Sequence, residues 1–197
     1  MARYGLYVDV SRCIGCYSCV VGCKNWHRIQ PGDPERIRLV DTTVGEYPDV
    51  SRWLFPLTCM HCEHPPCVAV CRFGACHKTD DGIVAVDPAR CVGCQLCVFA
   101  CPYGVRRMNK TLKVADGCDF CASDLNNRKI PHCVESCPTE ALVFGDLDDP
   151  ESRIRQLLAT ERTETLLPNC RTRPKVFYAA PGSFKEFAEN LFGGRSV

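Results

Sequence analysis

Sixteen of the eighteen cysteines fall into four quartets: Cys13-Cys16-Cys19-Cys23, Cys59-Cys62-Cys67-Cys71, Cys91-Cys94-Cys97-Cys101 and Cys118-Cys121-Cys133-Cys137. Their spacings are C-x2-C-x2-C-x3-C, C-x2-C-x4-C-x3-C, C-x2-C-x2-C-x3-C-P and C-x2-C-x11-C-x3-C-P. A tight triplet gathers three soft thiolates around one point, which suits a [4Fe-4S] cube. In a C-x2-C-x2-C-x3-C-P run the fourth cysteine ligates the other cube of a pair, because the chain has already left the first. Four quartets in even number therefore imply two pairs of cubes, and one-electron transfer as their chemistry.

Other uses of so many thiols fit less well. Disulfides join distant segments, whereas residues at i, i+3 and i+6 crowd around a single point. Structural zinc combines two separated C-x2-C pairs, not a triplet with a Cys-Pro end. The formal charge is +1. Each tetrathiolate cube adds about two negative charges, so the loaded chain would carry about −7. Lys and Arg then read as compensation for buried negative clusters. No basic block reaches five residues and none is interleaved with aromatics, which excludes a nucleic-acid surface.

Short rigid elements must hold these loops. Tyr4, Leu6, Val8 and Val10 alternate and predict a strand rather than a signal peptide. No apolar run approaches a membrane span. Between Cys71 and Cys91, Lys78-Thr-Asp-Asp-Gly82 followed by Ile83-Val-Ala-Val-Asp87 predicts a hairpin turning at Asp81-Gly82. Pro-Tyr-Gly-Val105 follows Cys101, and Pro-Thr-Glu-Ala-Leu-Val-Phe-Gly145 follows Cys137. Each quartet should lead into a turn or short helix and then a strand, as in a ferredoxin half-unit. The middle quartets are close enough for one two-cluster unit over 56–114, which leaves 1–55 and 115–150 to form the other around it. The expected fold is α+β: two tandem bacterial-type 2[4Fe-4S] ferredoxin-like units, one nested in the other, with a helical and extended tail over 151–197.

The exchange rule then assigns Cys13, Cys16 and Cys19 to a cube with Cys137, and Cys118, Cys121 and Cys133 to one with Cys23. It assigns Cys91, Cys94 and Cys97 to a cube with Cys71, and Cys59, Cys62 and Cys67 to one with Cys101. The alternative is that every quartet keeps its own cube. Cys76 and Cys170 are left over; a small buried thiol suits Cys76, and a free thiol suits Cys170.

Cys13-Ile-Gly-Cys16, Cys59-Met-His-Cys62-Glu-His-Pro-Pro-Cys67, Cys91-Val-Gly-Cys94 and Cys133-Val-Glu-Ser-Cys137-Pro resemble the electron-transfer subunit of the dimethyl-sulfoxide reductase superfamily of molybdopterin oxidoreductases. Gly45-Glu-Tyr-Pro48, Gly145-Asp-Leu-Asp-Asp-Pro150 and Thr172-Arg-Pro-Lys-Val-Phe-Tyr178 extend the resemblance over residues 3–178. Within the superfamily the chain most resembles the polysulfide, thiosulfate, tetrathionate and arsenate reductase branch, and the similar subunit of nitrite-reduction systems. Arg72 stands where the family usually has Pro, and Arg171 where Gly usually precedes Thr-Arg-Pro.

The resemblance implies four [4Fe-4S] clusters and a subunit with no catalytic residues of its own. It implies a large molybdenum or tungsten bis-pterin partner, and a quinone-linked membrane subunit or soluble carrier as the other. Association with a membrane would come through those partners, on the extracytoplasmic side by co-export or in the cytoplasm. A freestanding polyferredoxin, the electron subunit of a formate dehydrogenase or hydrogenase, and a zinc-stabilised interaction module are the rival readings.

Lys24, Trp26 and His61 lie beside cluster cysteines and could adjust potentials or merely pack. In the tail, Asp149-Pro150 predicts a helix start with Ile154, Leu157 and Leu158 on one face. Ser183-Phe-Lys-Glu186 is a capping box, with Phe184, Phe187, Leu191 and Phe192 following and Gly193-Gly194 as the stop. That second helix could cover the core or dock on a partner.

Overall fold

The computed structural model describes residues 2–125, 130–180, 184, 191 and 192. The first strand, β1 (Tyr4–Asp9), is the centre of a three-stranded sheet. It pairs antiparallel with β8 (Leu142–Asp146) and parallel with β9 (Val176–Ala179). Leu6, Val8 and Val10 face the main core, but Tyr7 is buried too. It faces a second apolar cluster with Val143, Leu147 and Ile154. The alternation thus marks a strand whose two faces are both covered, and helix Arg153–Thr160 supplies the second cover. That helix begins later than Pro150 suggests, because Asp149 holds the preceding turn: its side chain accepts the Glu151 N–H at 2.9 Å and its carbonyl the Ser152 N–H at 3.1 Å.

A long hairpin that the sequence pattern did not reveal connects the first two quartets. Its strands β2 (Arg38–Glu46) and β3 (Asp49–Leu57) pair along their whole length, and Gly45-Glu-Tyr-Pro48 lies at the turn. The outer half of β3 is exposed, while Trp53, Phe55 and Leu57 enter the core. Beyond it lie two smaller hairpins, β4 (Cys76–Lys78) with β5 (Val84–Val86) and β6 (Arg107–Met108) with β7 (Ala115–Asp116). One-turn helices α2 (Pro66–Ala69) and α3 (Leu96–Phe99) pack on each other, as α1 (Ser18–Trp26) packs on helix His132–Glu135. No described helix is long and apolar enough to cross a membrane.

The tail belongs to the core. Tyr178 is fully buried in β9, and Phe184 packs against Trp53, Phe55 and Tyr178. Phe192 is buried as well, whereas Leu191 is exposed. Ser183, Phe187 and Gly193-Gly194, which carry the rest of the expected second helix, lie outside the described residues.

Polar links tie the early segments to residues 107–120. Asp33 accepts the N–H groups of Lys110 and Thr111 and the Thr111 hydroxyl at 2.7–3.2 Å. Arg36 reaches Asp116 at 2.9 Å and Asp119 at 3.1 Å, with its side chain 19% exposed. Two carboxylates would lose their partner if it were removed. Arg36→Met is therefore expected to cost about 2–4 kcal/mol, seen as a lower urea midpoint for loss of the visible chromophore.

Candidate metal centres

The four quartets share a backbone device. The residue before the second cysteine has positive φ in every one: Gly15 at 69°, His61 at 41°, Gly93 at 72° and Phe120 at 54°. In the first and third quartets a second left-handed residue follows, Tyr17 at 61° and Gln95 at 65°. Alternating right- and left-handed residues point successive N–H groups into one concavity, which favours an anion. The chain also turns alike after three of the quartets, with N–H groups of Gly74, Gly104 and Glu140 donating to the carbonyls of Cys71, Cys101 and Cys137 at 3.2 Å. Arg72 therefore leaves the second quartet with the same turn that Pro102 gives the third. Arg171, the other departure, takes φ 54°, where glycine would be free of steric cost.

The two glycines of this device are not equivalent. A Cβ on Gly93 would sit 2.6 Å from the Lys113 carbonyl oxygen, whereas one on Gly15 would meet side-chain carbons of Leu54 at 3.4 Å and of Leu39 at 3.6 Å. Both alanine variants carry the left-handed cost of about 1–2 kcal/mol, but only Gly93→Ala must also move backbone. Gly93→Ala is expected to lose iron from the third quartet while Gly15→Ala keeps its full complement, checked by iron and acid-labile sulfide per chain.

The thiols converge across quartets. Cys59, Cys62, Cys67 and Cys101 line one small cavity, with Pro65, Pro66, Tyr103, Val105 and Arg106 around them. Cys71 joins Cys91, Cys94 and Cys97 around a second, which Cys76 also lines. The other two groups show in the charges that act on each thiol. Burial pushes Cys19 up to about 12, helped by Cys13, Cys137 and Cys16 in turn. Burial likewise raises Cys133, and there Cys118, Cys23 and Cys121 add to it.

Such crowds of buried, mutually repelling thiols call for a positive centre, since a coordinated thiol is deprotonated outright. The donor set fits an iron–sulfur cube: four thiols per site, apolar walls, and backbone N–H groups aimed at sulfur. Cys76 N–H donates to Cys71 Sγ at 3.3 Å, Ala115 N–H to Cys91 Sγ at 3.3 Å and Phe120 N–H to Cys118 Sγ at 3.4 Å. Arg106 supplies the complementary sign: its guanidinium is buried, and its Nη1 and Nη2 have no hydrogen-bond partner.

Of the flanking residues singled out by sequence, His61 is fully buried. Its Nδ1 accepts the Val84 N–H at 3.0 Å, which puts the proton on Nε2, and its ring stacks on Phe120 at 3.6 Å. That stack links the second quartet to the fourth. Trp26 donates to Asp124 at 2.7 Å and stacks on His132, while Lys24 pairs with Glu35 at 3.5 Å near the surface. Cys76 and Cys97 act on each other, which lowers the Cys97 thiol and raises that of Cys76. Cys170, in the short turn Pro168–Cys170, lines neither cavity.

Arg106, Arg36 and His27 were not legible as site residues. His27 Nδ1 faces Arg36 Nη1 at 3.1 Å and its Nε2 faces Cys121 Sγ at 3.4 Å. Arginine can only donate, so Nδ1 accepts and Nε2 donates to the thiol.

Comparison with known proteins agrees with this chemistry. The family described as "4Fe-4S dicluster domain" matches residues 50–147. Protein NrfC of Escherichia coli is 43% identical over 95% of this chain and 84% of its own length. A tetrathionate reductase subunit of Salmonella typhimurium is 42% identical over 89% of this chain and 72% of its own. A selenate reductase subunit of Mesobacillus selenatarsenatis is 33% identical over 88% and 70%. With these relatives spanning nearly all of it and the dicluster family covering its second, third and fourth quartets, the chain belongs to the iron–sulfur electron-transfer subunits of the dimethyl-sulfoxide reductase superfamily of molybdopterin oxidoreductases.

Proposed function

We propose that this chain holds four [4Fe-4S] clusters in two nested ferredoxin-like units and relays single electrons along them between a catalytic subunit and a second redox partner. The observation that carries the reading is the convergence of the fourth cysteine of one quartet on the triplet of another. Cys101 lies with Cys59, Cys62 and Cys67, and Cys71 with Cys91, Cys94 and Cys97. Mutual charge effects support the same exchange of Cys137 with Cys13, Cys16 and Cys19, and of Cys23 with Cys118, Cys121 and Cys133. When bound, each cube supplies a site that takes up and gives back one electron.

An order along the line follows from thiols that act across groups. Cys19 acts on Cys133, Cys118 on Cys59, and Cys97 on Cys67. The cube of Cys13 then stands at one end and the cube of Cys91 at the other. Each end has one exposed thiol, Cys16 and Cys94 respectively. Each also exposes an apolar patch from its own cluster loop: Ile14, Tyr17 and Val21 at one, Val92, Leu96 and Phe99 at the other. Clustered exposed apolar side chains mark protein contact sites. The chain's residues hold the interior cubes dry and direct N–H groups at their sulfurs, while the two loops present the terminal cubes to partners.

One partner is a large molybdenum or tungsten bis-pterin catalytic subunit; the other is a quinone-linked membrane subunit or a soluble carrier. The reductase subunits among the relatives support such an assembly. The complex would sit at a membrane through those partners, on the extracytoplasmic side after joint export or on the cytoplasmic side. Anaerobic native purification, with mass spectrometry and metal analysis of what accompanies the chain, tests the reading. About four irons per quartet and a molybdenum- or tungsten-bearing partner are expected. Iron without a partner would favour a freestanding polyferredoxin, and colourless zinc protein would sink the wire.

A further inference from the structure

Among the described residues, Arg36, Arg106 and Lys175 are drawn toward the interior of this fold, and Arg36 and Lys175 meet carboxylates. Arg36 reaches Asp116 and Asp119, and Lys175, 3% exposed, reaches Glu63 at 3.0 Å. Arg106 is the exception. It is 3% exposed, has no carboxylate partner among the described residues, and leaves both terminal nitrogens without a hydrogen-bond partner. A buried guanidinium in that state is costly unless an anion faces it. Arg106 lines the cavity of Cys59, Cys62, Cys67 and Cys101, together with the apolar side chains of Tyr103 and Val105.

We propose that Arg106 sets the reduction potential of the cube held by Cys59, Cys62, Cys67 and Cys101, raising it by facing that cube with a fixed, uncompensated positive charge. The inference rests on the cluster assignment above. Taking up one electron carries a tetrathiolate cube from a charge of about −2 to about −3. A fixed cation in a buried, largely apolar cavity stabilises the added electron more than it would in water. A guanidinium is not deprotonated in proteins, so Arg106 keeps its charge in the buried site. No proton or bond therefore changes in the step, and the electron is the only species transferred. The charge acts most on the facing cube and less on its two neighbours, the cube of Cys97 on one side and the cube of Cys118 on the other, because the interaction falls with distance.

Gly117 fixes where the guanidinium lies. A Cβ there would stand 3.0 Å from Arg106 Nη1 and 3.3 Å from Cζ. Glycine at this position leaves room for the charged group over the backbone just before Cys118. Gly117→Ala therefore displaces the guanidinium while keeping its charge, and provides a test independent of Arg106 substitution.

The test is redox titration of the anaerobically purified full chain with dithionite, followed by electron paramagnetic resonance. The wave of this cube is identified by its absence from a Cys59→Ala/Cys101→Ala double variant. In Arg106→Gln, the reduced-to-oxidised ratio of that cube, read at its wild-type midpoint, should fall at least tenfold, a shift of 59 mV for a one-electron couple. The two neighbouring cubes, those of Cys91 and of Cys118, should shift less, and the remote cube of Cys13 by under twofold. Arg106→Lys should restore the ratio to within threefold. An unmoved midpoint, an equal shift in all four, or a Lys variant that behaves like Gln would overturn the proposal. Should Arg106→Gln fail to retain iron, Gly117→Ala decides: a lowered midpoint of the same cube supports the role and an unchanged one removes it. Wild-type protein without iron and sulfide would sink the cluster reading itself. Full wild-type iron with unmoved midpoints would sink only the role of Arg106.

Discussion

Replacing Cys59 and Cys101 together by alanine is expected to remove one whole cube and leave the other three intact. The two cysteines belong to different quartets, yet both line the same cavity with Cys62 and Cys67. Deleting two of four ligands from one site leaves too few thiolates to hold it, so iron should fall by about four per chain. Iodoacetamide should then label Cys62 and Cys67, while Cys71, Cys91, Cys94 and Cys97 remain protected. Cys59→Ala/Cys71→Ala removes the same number of thiols from one quartet but, by the cavity linings, from two cubes. It should damage two centres. If each quartet kept its own cube, the outcomes of the two double variants would be reversed. Iron analysis with mass-spectrometric mapping of the alkylated cysteines would falsify the exchanged arrangement by that reversal.

The second large effect is expected at Phe120. This ring is 2% exposed, stacks on His61 at 3.6 Å and meets Phe144 edge-on at 5.1 Å. Truncating a buried phenylalanine to alanine costs about 3–5 kcal/mol. In a chain of this size each kcal/mol lowers the midpoint by about 2–4 °C, so the temperature of half-bleaching should fall by about 10 °C in Phe120→Ala. Bleaching is the proper readout, since loss of bound metal makes unfolding other than two-state. Phe120→Leu keeps most of the apolar volume and should recover more than half of the loss. Equal midpoints for wild type and Phe120→Ala would mean that the stack does not join the second and fourth quartets in the way the structure places it. Both ring-bearing residues hold left-handed backbone, His61 at φ 41° and Phe120 at φ 54°. Positions of that kind persist where the surroundings over-determine them, often at functional sites.

The cysteine spacing announces the chemistry because ligand geometry is local. Three thiols within seven residues can reach one metal centre whatever the rest of the chain does. The hairpin at Asp81-Gly82 and the strand at Tyr4–Asp9 were legible for the same reason, through a turn dipeptide and a two-residue alternation. The β2–β3 hairpin was not. Half of its residues face solvent, so polar side chains such as Arg38, Asp41, Thr42 and Thr43 interrupt the apolar pattern. The helix start expected at Asp149-Pro150 lies too early, since Asp149 uses its side chain for a preceding turn that competes with a helical one.

Arg106 shows what sequence cannot convey about a site. Beside Arg107 and close to Lys110 it reads as one of several surface cations, and nothing in its neighbours marks it as buried. Its environment is made by Tyr103 and Val105 from its own segment, Pro65 and Pro66 from another, and the open backbone at Gly117. The same holds for His27, whose role depends on Arg36 and on Cys121, which lies far along the chain.

By itself, then, the sequence determined the kind of atoms offered to a cofactor and how many could meet at each loop, because thiol spacing acts over a few residues. The tertiary structure alone decided which cation faces which group of thiols, which thiols reach solvent at Cys16 and Cys94, and that the tail enters the sheet through β9. Those outcomes depend on burial and on charge–charge distance between segments remote in sequence, and both are set only when the core closes.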